Sequence, residues 1–218
     1  FYRPTLGEIR CSRDGREFPL HRLPIHRIAQ LGVGRTYQNI RLFGQMTALE
    51  NLLVAQHHAV NHHLLSGIFR TPAFRRSELQ AQERAWYWLR FMGLEGVANQ
   101  EAGNLPYGLQ RRLEVARAMA GQPRLICLDE PAAGLNQHET QEINAVILRL
   151  RKEHAVSVLL IEHHMGVVMN ISDKVVVLDH GIVISSGTPD QVQHDAGVIK
   201  AYLGEEDDAA LNQRPRAS

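Results

Sequence analysis

The chain has 218 residues, 44% of them apolar and 22% charged, with a formal net charge of +1. That length accommodates one large domain or two small ones, and the aliphatic content excludes a disordered composition. A charge this near zero argues against a general nucleic-acid or anionic-membrane binder. Apolar runs no longer than pieces such as Ala155-Val-Ser-Val-Leu-Leu-Ile161 exclude a membrane-spanning helix.

In chain order, Glu8 to Ser12 alternates and Asp14-Gly15 supplies a turn, which predicts a hairpin-type strand. Pro24 to Gln30 reads as a short helix ended by Gly32, and Val33 to Gln38 as a further strand. From Thr47 the apolar spacing turns helical through Leu49, Leu52, Leu53 and the stretch Ala55 to Val60, with Thr47 as cap and Glu50 three residues on. Ser66 to Pro72 breaks the pattern. A second helix starts at Ser77-Glu-Leu-Gln, carries Leu79, Leu89 and Phe91-Met92 inward, and closes at Gly93. Its Trp86 and Trp88, two apart, do not share a face and are assigned to core packing. Residues 110–120 form a third helix with Leu113, Val115-Ala116 and Met119-Ala120 inward, ended by Gly121.

Arg124 to Asp129 is then a continuously apolar strand, the kind buried in a parallel sheet. Glu139 to Glu153 reads as helix, Val156 to Glu162 as strand, and a short helix starts at His164. Lys174 to Asp179, a His180-Gly181 turn and Ile182 to Ser186 make a hairpin. Strands alternating with helices imply a parallel α/β core, and residues 47–110, without strand signal, a helical insertion. Asn212 to Ser218 reads as a frayed tail after the acidic Glu205 to Asp208, while Arg70 to Arg76 is basic.

Cys11 and Cys127 are too few for a disulfide framework and suit a reducing compartment; Cys127 is a small apolar filler in its strand. His57, His58, His62 and His63 include a pair at i, i+4, but no Cys or carboxylate accompanies them, so a solvated role without metal is expected. The N-terminal residues lack the charged-then-apolar layout of an export signal, so none is expected.

The strongest chemical feature is Leu125-Ile-Cys-Leu-Asp129-Glu130-Pro131. Four apolar residues make a strand, and two carboxylates sit at its carboxyl end, where open α/β sheets bind ligands. Neighbouring side chains of an extended segment point apart, so the two acids divide the work: one holds Mg²⁺ and the other orients an attacking water. Only three of the 24 basic residues are lysines, Lys152, Lys174 and Lys200. Glu, Val and Ala follow them, so these 218 residues contain no Gly-Lys-Ser/Thr phosphate loop.

Leu105-Pro-Tyr-Gly-Leu-Gln-Arg-Arg-Leu-Glu-Val-Ala-Arg-Ala-Met precedes the acidic strand, with Gly121-Gln-Pro-Arg between them. Ala132-Ala-Gly-Leu-Asn136, Ile161-Glu-His163-His-Met and, upstream, Arg35-Thr-Tyr-Gln38-Asn complete a fixed order. That order resembles the ATP-binding subunits of ABC transporters: Q-loop, signature segment, Walker B strand, D-loop and switch histidine. Gly32 to Phe43, Glu50-Asn-Leu-Leu-Val-Ala-Gln-His57, Ser66 to Arg76 and Val198-Ile-Lys-Ala-Tyr-Leu-Gly-Glu205 are similar to the branched-chain amino-acid importers in particular.

The resemblance implies an α/β P-loop NTPase core with an inserted helical subdomain. It divides into the core up to the Q-loop (1–38), the helical subdomain with the signature (39–110), the rest of the core (111–190) and a C-terminal helix and tail (191–218). It further implies that the N-terminal strand or strands and the Walker A loop lie outside these residues, which alone would then not hydrolyse ATP. By position, Asp129 would bind Mg²⁺ through water, with Gln38 reaching the metal and the nucleophile. Glu130 would polarise the hydrolytic water and His163 would contact the γ-phosphate. Pro106, Tyr107, Gly108, Leu109 and Gln110 would form the signature that grips the ATP of a partner subunit, and Asn136 the D-loop contact.

Pro106 offers neither hydroxyl nor N–H to a phosphate, Asn136 replaces the usual aspartate, and His164 stands where an aspartate commonly follows the switch histidine. ATP and Mg²⁺ are the implied ligands. Implied partners are a second ATPase, either self or a paralogue, two membrane permease subunits and, indirectly, a solute-binding protein; no nucleic acid is implied. The implied place is peripheral, on the cytoplasmic face of the plasma membrane. Alternatives are a non-catalytic fragment and an ATPase for urea import or lipopolysaccharide export. A DNA-repair head is a further option, but the heptads of its coiled coil are missing.

Overall fold

The computed structural model describes residues 4–56 and 72–201, which form two compact units divided after Ile161. The histidine group at 57–63, the break at 66–71 and the acidic and polar tail from 202 lie outside the described residues. Among the described residues, no helix is long and apolar enough to cross a membrane.

In the first unit, β1 (Arg10–Arg13) and β2 (Arg16–Pro19) pair antiparallel around Asp14-Gly15. Both turn residues take positive φ, 51° and 75°, the geometry that matches the twist of the two strands. A 3-10 turn (Leu20–Arg22) and α1 (Ile25–Gln30) lead to β3 (Val33–Arg35). The strand is three residues shorter than its pattern suggests. Thr36 N still donates to Cys127 O, but the carbonyls of Tyr37 and Gln38 are taken by the Arg111 guanidinium, which ends the ladder.

β3, β4 (Leu125–Asp129) and β5 (Ser157–Ile161) form a parallel sheet in the order β3-β4-β5, as the alternation of strands and helices implies. The register puts Val33, Leu125 and Ser157 in one row and Arg35, Cys127 and Leu159 in the next. Ile126 and Leu128 are fully buried, whereas Leu159 and Ile161 are 53% and 52% exposed. The apolar run therefore predicts two covered faces where one is covered within this unit.

The helices between β3 and β4 start on identifiable caps. α2 (Ala48–Ala55) begins at a capping box in which Thr47 Oγ1 accepts from Glu50 N and Glu50 Oε2 accepts from Thr47 N. α3 (Pro72–Phe91) starts ahead of the expected Ser77 and packs Ala85, Trp88 and Leu89 inward. α4 (Tyr107–Ala120) starts three residues before the expected position, because Pro106 O accepts from both Leu109 N and Gln110 N and so opens the first turn. α5 (Gln137–His154) follows β4 and starts at a second capping box, Asn136 with Glu139.

In the second unit, α6 (Met165–Ile171) precedes a hairpin of β6 (Val175–Asp179) and β7 (Ile182–Gly187). α7 (Pro189–Gln193) and helical residues 196–201 follow. Val175, Val192 and Val198 form its core, with Met165, Val168, Met169, Val177 and Ile184 packed against them.

Candidate functional site

The acidic pair ends β4 as the strand pattern requires, and the structure adds its partners. Asp129 accepts from Arg35 Nη2 at 2.9 Å, while its own N–H reaches Thr36 Oγ1 at 3.4 Å. Arg35 lies on the row of Cys127, two residues from Asp129 on the same face, so the diagonal across β3 and β4 brings guanidinium and carboxylate together. Glu130 stands at φ 46°, a left-handed conformation that strains any residue with a Cβ, and its N–H donates to Ile161 O at 2.9 Å. The turn points its side chain away from that of Asp129, and Gln38 Nε2 donates to Glu130 Oε2 at 3.2 Å. Gln38, Asp129 and Glu130 thus form one cluster at the carboxyl end of the sheet. His163 belongs to the second unit, exposed, next to His164, the N-cap residue of α6.

The signature segment is built into the first unit on three sides. Tyr107 Oη accepts from Arg111 Nη2 at 2.9 Å, and its ring lies against Gly134, where a Cβ would stand 3.2 Å from Cε1. Gly108 is buried against Glu139: a Cβ there would stand 2.5 Å from Glu139 Oε1. Gln110 Nε2 donates to Leu105 O at 2.8 Å, fixing the entry to α4. Pro106 is exposed at the N-cap position and Leu109 is half-buried. Asn136 Oδ1 accepts from Glu139 N at 3.0 Å, so its amide serves the start of α5.

The residues missed by sequence reading are Arg35, Arg111 and Glu114. Arg111 and Glu114 are each 1% exposed and paired at 3.1 Å. Burial pushes the Glu114 carboxyl above the ordinary range, against the pull of Arg111 and of the Tyr37 and Arg41 amides. Their i, i+3 spacing on the stripe that also carries Val115 and Met119 was the available signal. Beside them lies a cleft of about 700 Å³ lined by Arg35, Tyr37, Arg41, Phe43, Val54 and Arg117, among others. The Arg35 and Arg41 guanidinium carbons lie 5.5 and 5.0 Å from the centre of the Tyr37 ring. Burial also raises the Cys127 thiol and lowers the Arg117 guanidinium from their usual values. Among the described residues, no group of three or more His, Cys, Asp or Glu side chains could hold a metal.

The ABC transporter family profile matches residues 1–133, and that of the branched-chain amino acid ATP-binding cassette transporters matches residues 183–208. The chain is 56% identical over 205 residues to the high-affinity branched-chain amino acid transport ATP-binding protein BraF of Pseudomonas aeruginosa, covering 94% of this chain and 79% of that one. The LivG protein of Escherichia coli K12, of the same description, is 50% identical over the same shares. Among solved structures, the ADP conformation of an ATP-binding cassette of an ABC transporter superposes with a TM-score of 0.66 at 29% identity, covering 82% of this chain and 70% of that one. A Q-loop amide on the acid that ends β4, with a signature helix behind both, is the arrangement of that family, and the chain belongs to the ATP-binding proteins of ABC transporters, in their branched-chain amino acid group.

Proposed function

We infer that the chain is the ATP-hydrolysing subunit that powers import of branched-chain amino acids through membrane permease partners. The observation that carries this reading is the 3.2 Å hydrogen bond from the Gln38 amide to the Glu130 carboxylate, at the carboxyl end of a parallel sheet. The names of the relatives at 56% and 50% identity support the solute class.

Glu130 orients the attacking water and takes its proton as the water oxygen bonds to the γ-phosphorus and the bond to the ADP oxygen breaks. Gln38 holds that carboxylate and presents its own side-chain oxygen toward the reacting groups. The oxygen donors Asp129 and Gln38 suit Mg²⁺, which is commonly held by one or two carboxylates together with substrate phosphates, so a cage of three protein acids is not needed. When bound, Mg²⁺ neutralises charge developing on the phosphates. Arg35 tempers the charge of Asp129 at 2.9 Å. His163 contacts the γ-phosphate, and the segment from Pro106 to Gln110, with Asn136, faces the nucleotide of a second ATPase copy or paralogue.

The cleft between the Q-loop and α2 receives a segment of the permease. Its arginines and aromatic rings suit a short helix bearing a carboxylate and apolar side chains. These contacts place the subunit on the cytoplasmic face of the membrane.

The test is turnover by the full-length ATPase assembled with its permease. Glu130→Gln is expected to reduce ATP hydrolysis by about 10²-fold or more while ATP binding and dimer formation persist. Unimpaired hydrolysis would refute the assignment of the base.

A further inference from the structure

One buried guanidinium joins the Q-loop to the signature segment. Arg111 Nη1 donates to Tyr37 O at 3.0 Å and to Glu114 Oε2 at 3.1 Å. Arg111 Nη2 donates to Gln38 O at 3.0 Å and to Tyr107 Oη at 2.9 Å. Glu114 Oε1 completes the frame, with long contacts from Tyr37 N at 3.4 Å and Arg41 N at 3.5 Å. The fork therefore holds the carbonyls on both sides of the Gln38 peptide nitrogen, and the Glu114 carboxylate spans the amides at the two ends of the same loop.

A pair this deeply buried is costly to desolvate and is weak evidence of a stabilising role, since apolar residues of similar volume often do as well. Arg111 Nε is even left without a hydrogen-bond partner. A core built for stability alone has little reason to keep such a group. Its geometry answers a different need: four acceptors from three segments are fixed by one rigid planar group, which a lysine cannot imitate.

We propose that Arg111 and Glu114 are positioning residues that clamp the Q-loop backbone to α4, so that the position of the signature helix sets whether the Gln38 amide reaches Glu130. This rests on the reading of Gln38 and Glu130 as the hydrolytic site. The clamp runs from Glu130 through Gln38 and Arg111 to Tyr107, and every member lies in the first unit. Movement of α4 when a partner's nucleotide engages residues 105–110 is transmitted to Gln38 through the carbonyl that Arg111 holds. Engagement in trans and hydrolysis in cis are thereby linked within one chain.

The experiment uses the full-length ATPase assembled with its permease and compares the Arg111→Met, Glu114→Leu double variant with Arg111→Lys. The apolar pair keeps volume and avoids an orphaned charge; the lysine keeps the charge and loses the fork. Amide hydrogen exchange over residues 37–41 is expected to accelerate about tenfold in the double variant, and less in Arg111→Lys, with the interior of α4 unchanged. The value of kcat is expected to fall about tenfold with KM for ATP unchanged. In a Gln38→Ala background the same exchange is expected to cost less than about twofold, because the clamp acts through Gln38.

Unchanged exchange over 37–41, or equal losses of kcat in both backgrounds, would overturn the clamp. If Gln38→Ala alone leaves turnover intact, the reading of the hydrolytic site fails instead, and the exchange data still decide whether Arg111 holds the loop. Should the double variant not fold, Arg111→Lys carries the same comparisons.

Discussion

Arg35 Nη2 lies 2.9 Å from Asp129 Oδ2, joining residues 94 apart at neighbouring strand ends. The carboxylate read as the Mg²⁺ ligand is thus already partly neutralised. A metal binding there competes with the guanidinium or shares the carboxylate with it. Because Arg35 is 44% exposed, solvent screens the pair and its strength is that of a surface ion pair. Arg35→Gln is expected to lower the Mg²⁺ concentration for half-maximal ATPase activity by about two- to fivefold, as loss of such a pair allows. Titration of activity with Mg²⁺ at saturating ATP measures this, and an unchanged midpoint would separate Arg35 from the metal site.

Glu130 holds φ at 46°, where a Cβ is strained and glycine is not. The strain is the cost of aiming this carboxylate at Gln38 while Asp129 stays with Arg35. Glu130→Gly is therefore expected to be more stable than Glu130→Ala by about 1 kcal/mol, although both lose the carboxylate. Urea melts of the two variants give the difference, and equal midpoints would mean that the backbone relaxes at no cost.

The strand-end acids, the capping box at Thr47 and Glu50, the Asp14-Gly15 hairpin and the parallel strands were legible because each is written in neighbouring residues. So was the order of motifs that carried the family. The links between them were not. Pairing Arg35 with Asp129 depends on the register of β3 against β4, and joining Arg111 to Tyr37 and Gln38 depends on how α4 packs on the Q-loop. Local patterns do not encode those distances. The end of β3 at Arg35 follows from the same fact, since side-chain donors replaced strand donors at the next carbonyls. Asn136 was read as a partner-facing residue from its motif, while its neighbour three residues on also makes it a helix cap.

Gly108 and Glu139 couple the signature segment to the start of α5. A methyl group on Gly108 would meet Glu139 Oε1 at 2.5 Å, and the other oxygen of that carboxylate accepts from Asn136 N at 3.0 Å. The side chain can move aside only by leaving the cap. Gly108→Ala is expected to cost about 1 kcal/mol, the usual worth of an N-terminal cap. Added to Glu139→Ala it should cost little more, because the clash has gone with the carboxylate. Denaturant unfolding of the two single variants and the double variant tests this; strictly additive losses would place the strain of Gly108→Ala elsewhere.

Glu114 gives the fold a pH dependence of definite sign. Burial raises its carboxyl in the folded chain above the value of about 4.3 that it has when unfolded. Between those two values the folded chain retains a proton that the unfolded chain has lost, so unfolding becomes easier as pH rises. Glu50, Asp14 and Asp195 act in the opposite sense, because hydrogen bonds lower them: Thr47 holds Glu50, Arg124 holds Asp14, and Ser185 and the Gly197 amide hold Asp195. Their contribution is present above the unfolded carboxylate value and is lost as pH falls. Wild type alone therefore mixes both trends. The difference between wild type and Glu114→Gln isolates one of them, since the glutamine carries no proton to lose. That variant is expected to gain on wild type as pH rises from about 4 toward neutrality, with the gain levelling off once the folded carboxyl has ionised. Urea unfolding of both proteins across that range measures the gap. A gap independent of pH would show that Arg111 and the loop amides match the burial cost in full, leaving the carboxyl at its unfolded value.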